Sequence, residues 1–341
     1  MTVSAPRKTR NRFRSRSPFV SPQWLNKFLI ILSLGLFSCS LTGQLLGKFY
    51  FFELFSHFVI QYEWVAYGLL GLWALYWVIF RYLTAWSVGA ALLVGITAYG
   101  NHTAWMPGDY APDRPIKRGE VRVLHANVLY SREEYVTTVA MVKKQQPDLY
   151  VLQEMTPDPI RWVTSQLRSE YPYWFACRSK QQVWTLVGSR TRFKVDEALA
   201  RRLHIISLET TINGKPVALL TVHPHTPVYP SWFRERNEQL AYSADKTRTN
   251  TLPTLLIGDF NISMFSPIYA SIFEPVNAPR PLIRARRDKT QPTWPRFLPP
   301  MMIPIDHAFV NDGFNVLSFQ TMDQTGSDHR AVVVDLDLLR R

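Results

Sequence analysis

Cysteine is scarce in this chain of 341 residues, and what there is excludes a disulfide framework: Cys39 lies in a long apolar run and Cys177 stands alone in the remainder. Acidic residues are missing altogether from the first 27 positions, which carry Arg7, Lys8, Arg10, Arg12, Arg14, Arg16 and Lys27 and are broken by Pro6, Pro18 and Pro22. So basic and interrupted a segment cannot bury a core, and residues 1–27 read as a disordered tail. Charge of either sign is missing from residues 28–47, 64–80 and 82–100, the last two runs being parted by Arg81 alone. No internal repeat relieves the chain of needing a conventional core.

The three uncharged runs have the length that a helix needs to cross a bilayer, about 17–25 residues. A cleaved signal peptide competes for the first run, but the run is long for an h-region and further apolar segments follow it. A buried soluble hairpin competes for the other two, against which stand the Trp and Tyr residues near their ends. Residues 28–100 therefore read as a membrane domain of three helices. Lys48 to Glu63, aromatic and lightly charged, reads as interfacial. If the basic tail stays in the cytoplasm, Arg81 returns to that side after two crossings and everything beyond Gly100 lies outside. The expectation is a multi-pass protein of a bacterial inner (plasma) membrane with an extracytoplasmic soluble domain. Two or four spans would reverse the side.

The formal net charge of +13 invites a nucleic-acid reading, yet the tail supplies seven of the 39 Lys and Arg residues, and anionic lipid accounts for those. A second group, Arg280, Arg284, Arg286, Arg287 and Lys289, either steers a phosphate-bearing substrate or is a solvated loop.

Residues 101–118, with Pro107, Pro112 and Pro115, form a linker, and a domain spanning 119–341 follows. Strands are predicted at Val121 to Val128, Asp148 to Glu154, Val183 to Ser189, Ile205 to Ile212, Val217 to His223, Thr254 to Asp259, Ile305 to Val310, Asn315 to Phe319 and Ala331 to Leu336. Helices are predicted from a capping box at Ser131-Arg132-Glu133-Glu134 to near Pro147, at Pro157 to Glu170, and at Ser231 to Arg248. Asn213-Gly214 between two apolar runs marks a hairpin. Alternation of strand and helix gives α/β or α+β.

Several apolar runs end in a polar motif: Asn127 in Leu-His-Ala-Asn, Glu154 in Val-Leu-Gln-Glu, Asp259 and Asn261 in Gly-Asp-Phe-Asn, Asp306 in Ile-Asp-His, and Asp328-His329 in Gly-Ser-Asp-His. Carboxylates, amides and histidines delivered to one sheet edge suit a hard divalent cation and a phosphate. Singly, each has a plainer explanation, such as a strand-end acid in solvent or a turn-capping Asn. Together, in this order, they describe a site.

Over residues 119 to 339 the order and spelling of these motifs resemble the endonuclease/exonuclease/phosphatase superfamily of metal-dependent phosphoesterases. The resemblance implies a four-layer α/β sandwich, two mixed β-sheets face to face with helices outside, and a site at one end. It makes Glu154 the principal metal ligand, with Asn127 and Asp328 near the metal. Asp259 orients or deprotonates the attacking water, and Asn261 stabilises the transition state. Asp306 fixes the tautomer of His329 and favours its protonated form, which contacts the phosphate, and Ser327 completes the Ser-Asp-His signature. His223 matches a second phosphate-contacting histidine able to act as general acid, although the Glu that supports it in some nucleases has no counterpart in Lys180 to Gly188. His307 falls on the opposite face from Asp306, while Pro224 leaves the direction of His225 open. Trp294 in Gln-Pro-Thr-Trp-Pro either stacks on a substrate ring or packs the loop.

The implied activity is hydrolysis of a phosphodiester, in nucleic acid or a lipid headgroup, with Mg2+ as the default metal and Mn2+ an option. The sequence indicates no protein partner. The alternative is a membrane-tethered binding module that retains the fold without catalysis.

Overall fold

The structure is a computed structural model, described over residues 21–102, 116–131, 134–179, 182–286 and 291–339. Most of the predicted tail and linker, and Arg287 and Lys289, lie outside those residues.

Four helices come first: α1 (Pro22–Leu46), α2 (Tyr50–Ser56), α3 (Val59–Phe80) and α4 (Ala85–His102). α1 opens earlier than the uncharged run, because the Ser21 side chain caps the Trp24 amide and Pro22 takes the first helical position, where a missing N–H costs nothing. α1 and α3 are each long and apolar enough to cross a membrane. α4 has 18 residues and ends in Asn101 and His102, and does not reach that hydropathy. The stretch read as interfacial is ordered as α2 and the first turn of α3.

Beyond residue 116 two six-stranded sheets form. One has the order β11 (Phe314–Asp323), β12 (Arg330–Leu338), β1 (Glu120–Asn127), β2 (Leu149–Met155), β4 (Trp184–Ser189), β3 (Tyr173–Arg178). The other runs β5 (Phe193–Val195), β6 (Ile205–Ile212), β7 (Lys215–Val222), β8 (Thr254–Asp259), β10 (Asp306–Val310), β9 (Ile283–Arg284). Each is mixed, with one parallel pair at its centre, β1 with β2 and β7 with β8. Helices α5 (Val136–Gln145) and α6 (Pro157–Leu167) cover the first sheet, and α7 (Glu197–Leu203), α8 (Pro230–Thr249) and α9 (Pro267–Phe273) the second.

Strand alternation builds the layers. Val121, Val123, Leu149 and Val151 meet Leu219, Leu255, Ile257 and Ala308 between the sheets. Leu124, Leu152 and Tyr150 face α5 and α6, while Leu220, Leu256 and Phe309 face α8 and α9. Buried on both faces, these strands read as continuous apolar runs, as doubly covered strands do. The four-layer α/β sandwich is therefore as expected, and the Asn213-Gly214 hairpin has both residues at positive φ, as a type I′ turn requires.

Helix α5 departs from the prediction. It starts at Val136 after Tyr135, which makes no side-chain cap bond, so Ser131 does not open it; Arg132 and Glu133 lie outside the described residues. Short elements were not anticipated either: β3, β5, β9, α7 and α9 have two to seven residues and only partial burial patterns.

Candidate active site

The inner-face rows of both sheets end in polar residues at one edge. Continuing Val121 and Val123 along that face brings His125 and Asn127; continuing Leu149 and Val151 brings Gln153; continuing Leu255 and Ile257 brings Asp259. β10 runs antiparallel to β8 and starts with Asp306 directly opposite Asp259. The site is where the apolar filling between the sheets stops.

Glu154 breaks the alternation that would point it outward. The register of β2 against β4 shifts between Leu152 and Met155, and Glu154 takes a left-handed φ of 60°. Such a bulge re-aims a side chain at a sheet edge. Gly258 is required for a different reason: a Cβ there would stand 2.3 Å from the Val222 carbonyl oxygen. Without that close approach β7 could not bring His223 beside Asp259.

Asn127 is the hub. Its Nδ2 donates to Glu154 Oε1 (2.9 Å) and Asp259 Oδ2 (3.1 Å), and lies 3.4 Å from His329 Nε2. His223 Nε2 is 3.7 Å from both Glu154 Oε1 and Asp259 Oδ2, and neither of its ring nitrogens has a hydrogen-bond partner among the described residues. Burial, with His329 and His125 nearby, holds the His223 imidazole down to about 3, so it is neutral. So held, the ring carries a single proton, and the general-acid role expected of His223 requires a bound phosphate to raise its pKa. The neutral ring is a suitable metal ligand or phosphate contact.

His329 is the opposite case. Burial alone would lower its pKa, but Asp306 Oδ2 accepts from Nδ1 at 2.9 Å and Asp259 lies 3.7 Å from Nε2, which raises it to about 10. Burial would raise Asp306, yet His329 holds it down to about 2. The pair is a buried imidazolium carboxylate. Asp259 is pushed up to about 7, first by burial, with His329 opposing. A carboxylate near neutrality is matched to accepting a proton from water.

Glu154, His223 and Asp259 present ligand atoms within 4.8 Å of one another, as do Asp259, Asp306 and His329. Two carboxylates converging on one amide, with an unpaired imidazole nitrogen beside them, fit a divalent cation; left alone, the two acids would repel.

Of the predicted residues, Asn127, Glu154, His223, Asp259, Asp306 and His329 come together. Asn261 adjoins them at a left-handed φ of 51°, its amide hydrogen-bonded to Asp259 Oδ1 (2.9 Å), but its side chain is engaged by the Pro224 carbonyl and Thr226. Asp328 lies outside both ligand groups, its Oδ2 accepting from Trp294 Nε1 at 2.8 Å. That bond places Trp294 as a loop brace. Ser327 donates to the Asn127 carbonyl. His307 does face away, bonding the Ile262 carbonyl, and His225 stacks on Trp232 at 4.6 Å.

Gln153 was not singled out as functional, yet its Oε1 accepts from the Asp259 amide (2.9 Å) and His125 Nε2 (3.0 Å), and its Nε2 donates to Thr221 Oγ1 and the Val222 carbonyl. It ties four strands together; period-2 alternation from Leu149 and Val151 was the available signal. Thr293 accepts from the Ile305 and Asp306 amides. The Arg280 to Lys289 group does not act as one solvated patch: Arg286 is buried under the Asp306 carbonyl and against Phe319, and Arg284 pairs with Glu274 at 3.2 Å.

The family model described as the endonuclease/exonuclease/phosphatase family matches residues 124–329, more than half of the chain. No curated protein matches. Among solved structures, an endonuclease/exonuclease/phosphatase from Beutenbergia cavernae is similar at 20% identity and a TM-score of 0.51, over 65% of this chain and 72% of that one. Humanized TDP2 of D. rerio gives 14% and 0.53 over 64% and 99%. A mannosyl-6-phosphatase of Bacteroides thetaiotaomicron gives 18% and 0.51 over 63% and 99%.

Proposed function

The chain belongs to the endonuclease/exonuclease/phosphatase family, and from that premise we propose that it is a membrane-anchored hydrolase of phosphodiesters that uses a divalent metal. The observation carrying the reading is the meeting, around Asn127, of two ionisable carboxylates and a buried imidazolium. Acidic groups to orient water and a fixed positive charge to meet a phosphoryl oxygen are the two requirements of the reaction.

Glu154 would hold the metal, magnesium by the hardness of its oxygens or manganese, with Asn127 and Asp328 as the further residues assigned to it and His223 beside them; when bound, it would supply Lewis-acid polarisation of a phosphoryl oxygen. Asp259 accepts the proton of the attacking water. His329, kept protonated by Asp306, donates to the phosphoryl oxygen, and His223 contacts the phosphate. Asn261 stabilises the transition state through its amide once the side chain leaves Thr226. No covalent intermediate is involved, so positioning supplies the rate.

Family relatives span nucleic acid and sugar phosphate: one D. rerio TDP2 structure holds a single-strand DNA product, and another neighbour is named a mannosyl-6-phosphatase. For this chain we favour a lipid headgroup over nucleic acid, and two exposed apolar loops support that reading. The loop from Pro224 carries exposed Val228 and Tyr229, and the loop after Trp294 carries exposed Phe297 and Leu298. Tyr50 Oη donates to the Val228 carbonyl and Gln61 Nε2 to those of Pro300 and Met302, so both loops adjoin the ends of the two candidate spans. Apolar loops at that level suit a substrate presented by a bilayer surface. The helices α1, α3 and α4 would cross the inner membrane three times, with the catalytic domain outside.

The test uses the full chain in detergent micelles with EDTA, then with Mg2+ or Mn2+, on bis(p-nitrophenyl) phosphate, p-nitrophenyl phosphate and phospholipid micelles. Metal-dependent turnover lost by about 10²-fold or more in Asp259→Asn supports the reading. A folded chain that binds metal but turns over none of the three substrates would instead favour a binding module. A reporter fused after Arg341 that is active in the cytoplasm would overturn the orientation.

A further inference from the structure

Helix α2 is set into the catalytic domain directly behind the site. Glu53 on α2 is buried, and both its carboxylate oxygens accept from Arg236 Nη2 on α8, at 2.8 and 2.7 Å. Arg236 is fully buried, and its Nη1 donates to the backbone carbonyl of Asn261 at 3.0 Å while Nε donates to Asn237 Oδ1 at 2.9 Å. The same Glu53 accepts from Ser266 Oγ at 2.7 Å. His57 shares a 2.9 Å hydrogen bond with Ser263 Oγ. Gly47, between α1 and α2, approaches so closely that a Cβ would stand 2.9 Å from Pro267 Cδ.

Residues 261–267 leave β8 immediately after Asp259, and all these contacts fall on them or on the arginine that holds them. Asn261 takes a left-handed backbone, a conformation asparagine tolerates better than most residues but which still needs its neighbours to fix it in one place. That conformation brings its amide to Asp259 Oδ1. The Arg236 guanidinium grips the carbonyl of the same residue. A buried guanidinium is tolerable only while paired; without Glu53 it would draw in water or turn away from Asn261.

We propose that Glu53 is a positioning residue of the catalytic site: by pairing with Arg236 it fixes the Asp259 to Asn261 turn, which makes the helix between the two candidate spans a working part of the hydrolase. The chain acts as one unit, and the soluble domain alone would leave Arg236 on α8 without its carboxylate partner. The turnover arm of the test rests on the phosphoesterase reading; the exchange arm does not.

Three full-length proteins in micelles decide it: wild type, Glu53→Gln, and the double variant Glu53→Leu with Arg236→Met, which removes both charges. The readouts are amide hydrogen exchange of the segment 260–266 against β8, the thermal midpoint, and kcat and KM for bis(p-nitrophenyl) phosphate. In Glu53→Gln, exchange should rise in 260–266 well beyond any change in β8, and kcat should fall by about 10²-fold, the cost of a small misplacement of reacting groups, with KM near wild type. The double variant should recover the thermal midpoint but neither the protection of 260–266 nor kcat. Recovery of all three would make the pair a packing element only and overturn the proposal. So would a Glu53→Gln protein whose exchange changes evenly or not at all. If wild type fails to hydrolyse the probe, the phosphoesterase reading is at fault and the exchange pattern still decides the role of Glu53.

Discussion

The helical region and the sandwich obey opposite burial rules. In the sandwich, Leu124, Val151, Leu256 and Ile257 are sealed inside, and the buried polar side chains lie towards the ends of the strands, at the site and, as with the Arg122–Asp335 pair and Asn311, at the opposite end. In the helices, Ile31, Leu75, Ile79, Leu92 and Ile96 face outward, while Asn26, Ser33, Ser87 and Asn101 are buried. The inner contacts there use small residues, Ala66, Ala90 and Ala98, and interhelical bonds: Ser87 Oγ to Asn26 Oδ1 (2.7 Å), Trp73 Nε1 to Ser33 Oγ (3.1 Å), Asn101 Nδ2 to Ser40 Oγ (3.1 Å). Small and hydrogen-bonding residues drive helix association where the solvent is itself apolar. That contrast is the one the membrane-anchored reading proposed above requires, and α2, with its buried ion pair to Arg236, joins the two regions.

The largest test of that contrast is a pair of identical truncations. Leu256→Ala, at a fully buried position between β8 and its covering helices, should cost about 2–5 kcal/mol of unfolding free energy. Leu92→Ala, on the outer face of α4, should change stability in micelles by about 0.5 kcal/mol or less. Chemical denaturation of the full chain, followed by tryptophan emission, measures both. Equal losses would mean that α4 packs as a soluble helix does.

Legibility from sequence followed the same division. The uncharged runs, the strands ending at Asn127, Glu154 and Asp259, and the Asp306 with His329 dyad were readable because periodicity and spelling are local. Glu154 was found by its motif, but the bulge that turns it inward was not, since alternation alone points it outward. Gln153 was legible only as part of the Gln-Glu motif, and its bracing role was not, because Asp259, His125, Thr221 and Val222 lie far from it in sequence. The neutral state of His223 depends on burial, with His329 and His125 nearby, and the Glu53 with Arg236 pair joins positions 183 residues apart. No window of sequence contains such facts.

A second, smaller effect distinguishes the charged end of the sandwich from its apolar body. His329 binds its proton more tightly when folded, about 10 against an ordinary 6.5, so its contribution to stability is complete below pH 6.5 and is lost as pH rises towards 10. Asp306 works in the opposite range: its contribution is present above its ordinary 3.8 and is lost as pH falls towards 2. Asp259, raised to about 7, adds little slope above neutrality. Between pH 7 and 9, with EDTA present, wild type should lose stability by up to about 1.4 kcal/mol per pH unit, and His329→Gln should lose markedly less. Parallel slopes would remove the imidazolium from the account of the site.

The finest test sets two asparagines against each other. Asn311 caps a turn in the sandwich, accepting from the Thr254 and Gly313 amides and donating to the Leu252 carbonyl at 2.8 Å. Truncation to Ala strands those buried backbone groups and should cost about 1–3 kcal/mol. Asn101 holds Ser40 across the helices and the Thr97 carbonyl below it. In an apolar solvent the separated helices find other partners for such groups, so Asn101→Ala should cost only about 0.6 kcal/mol in micelles. A cost for Asn101 equal to that for Asn311 would place the helical region in water, and with it the hydrolase would lose its anchor.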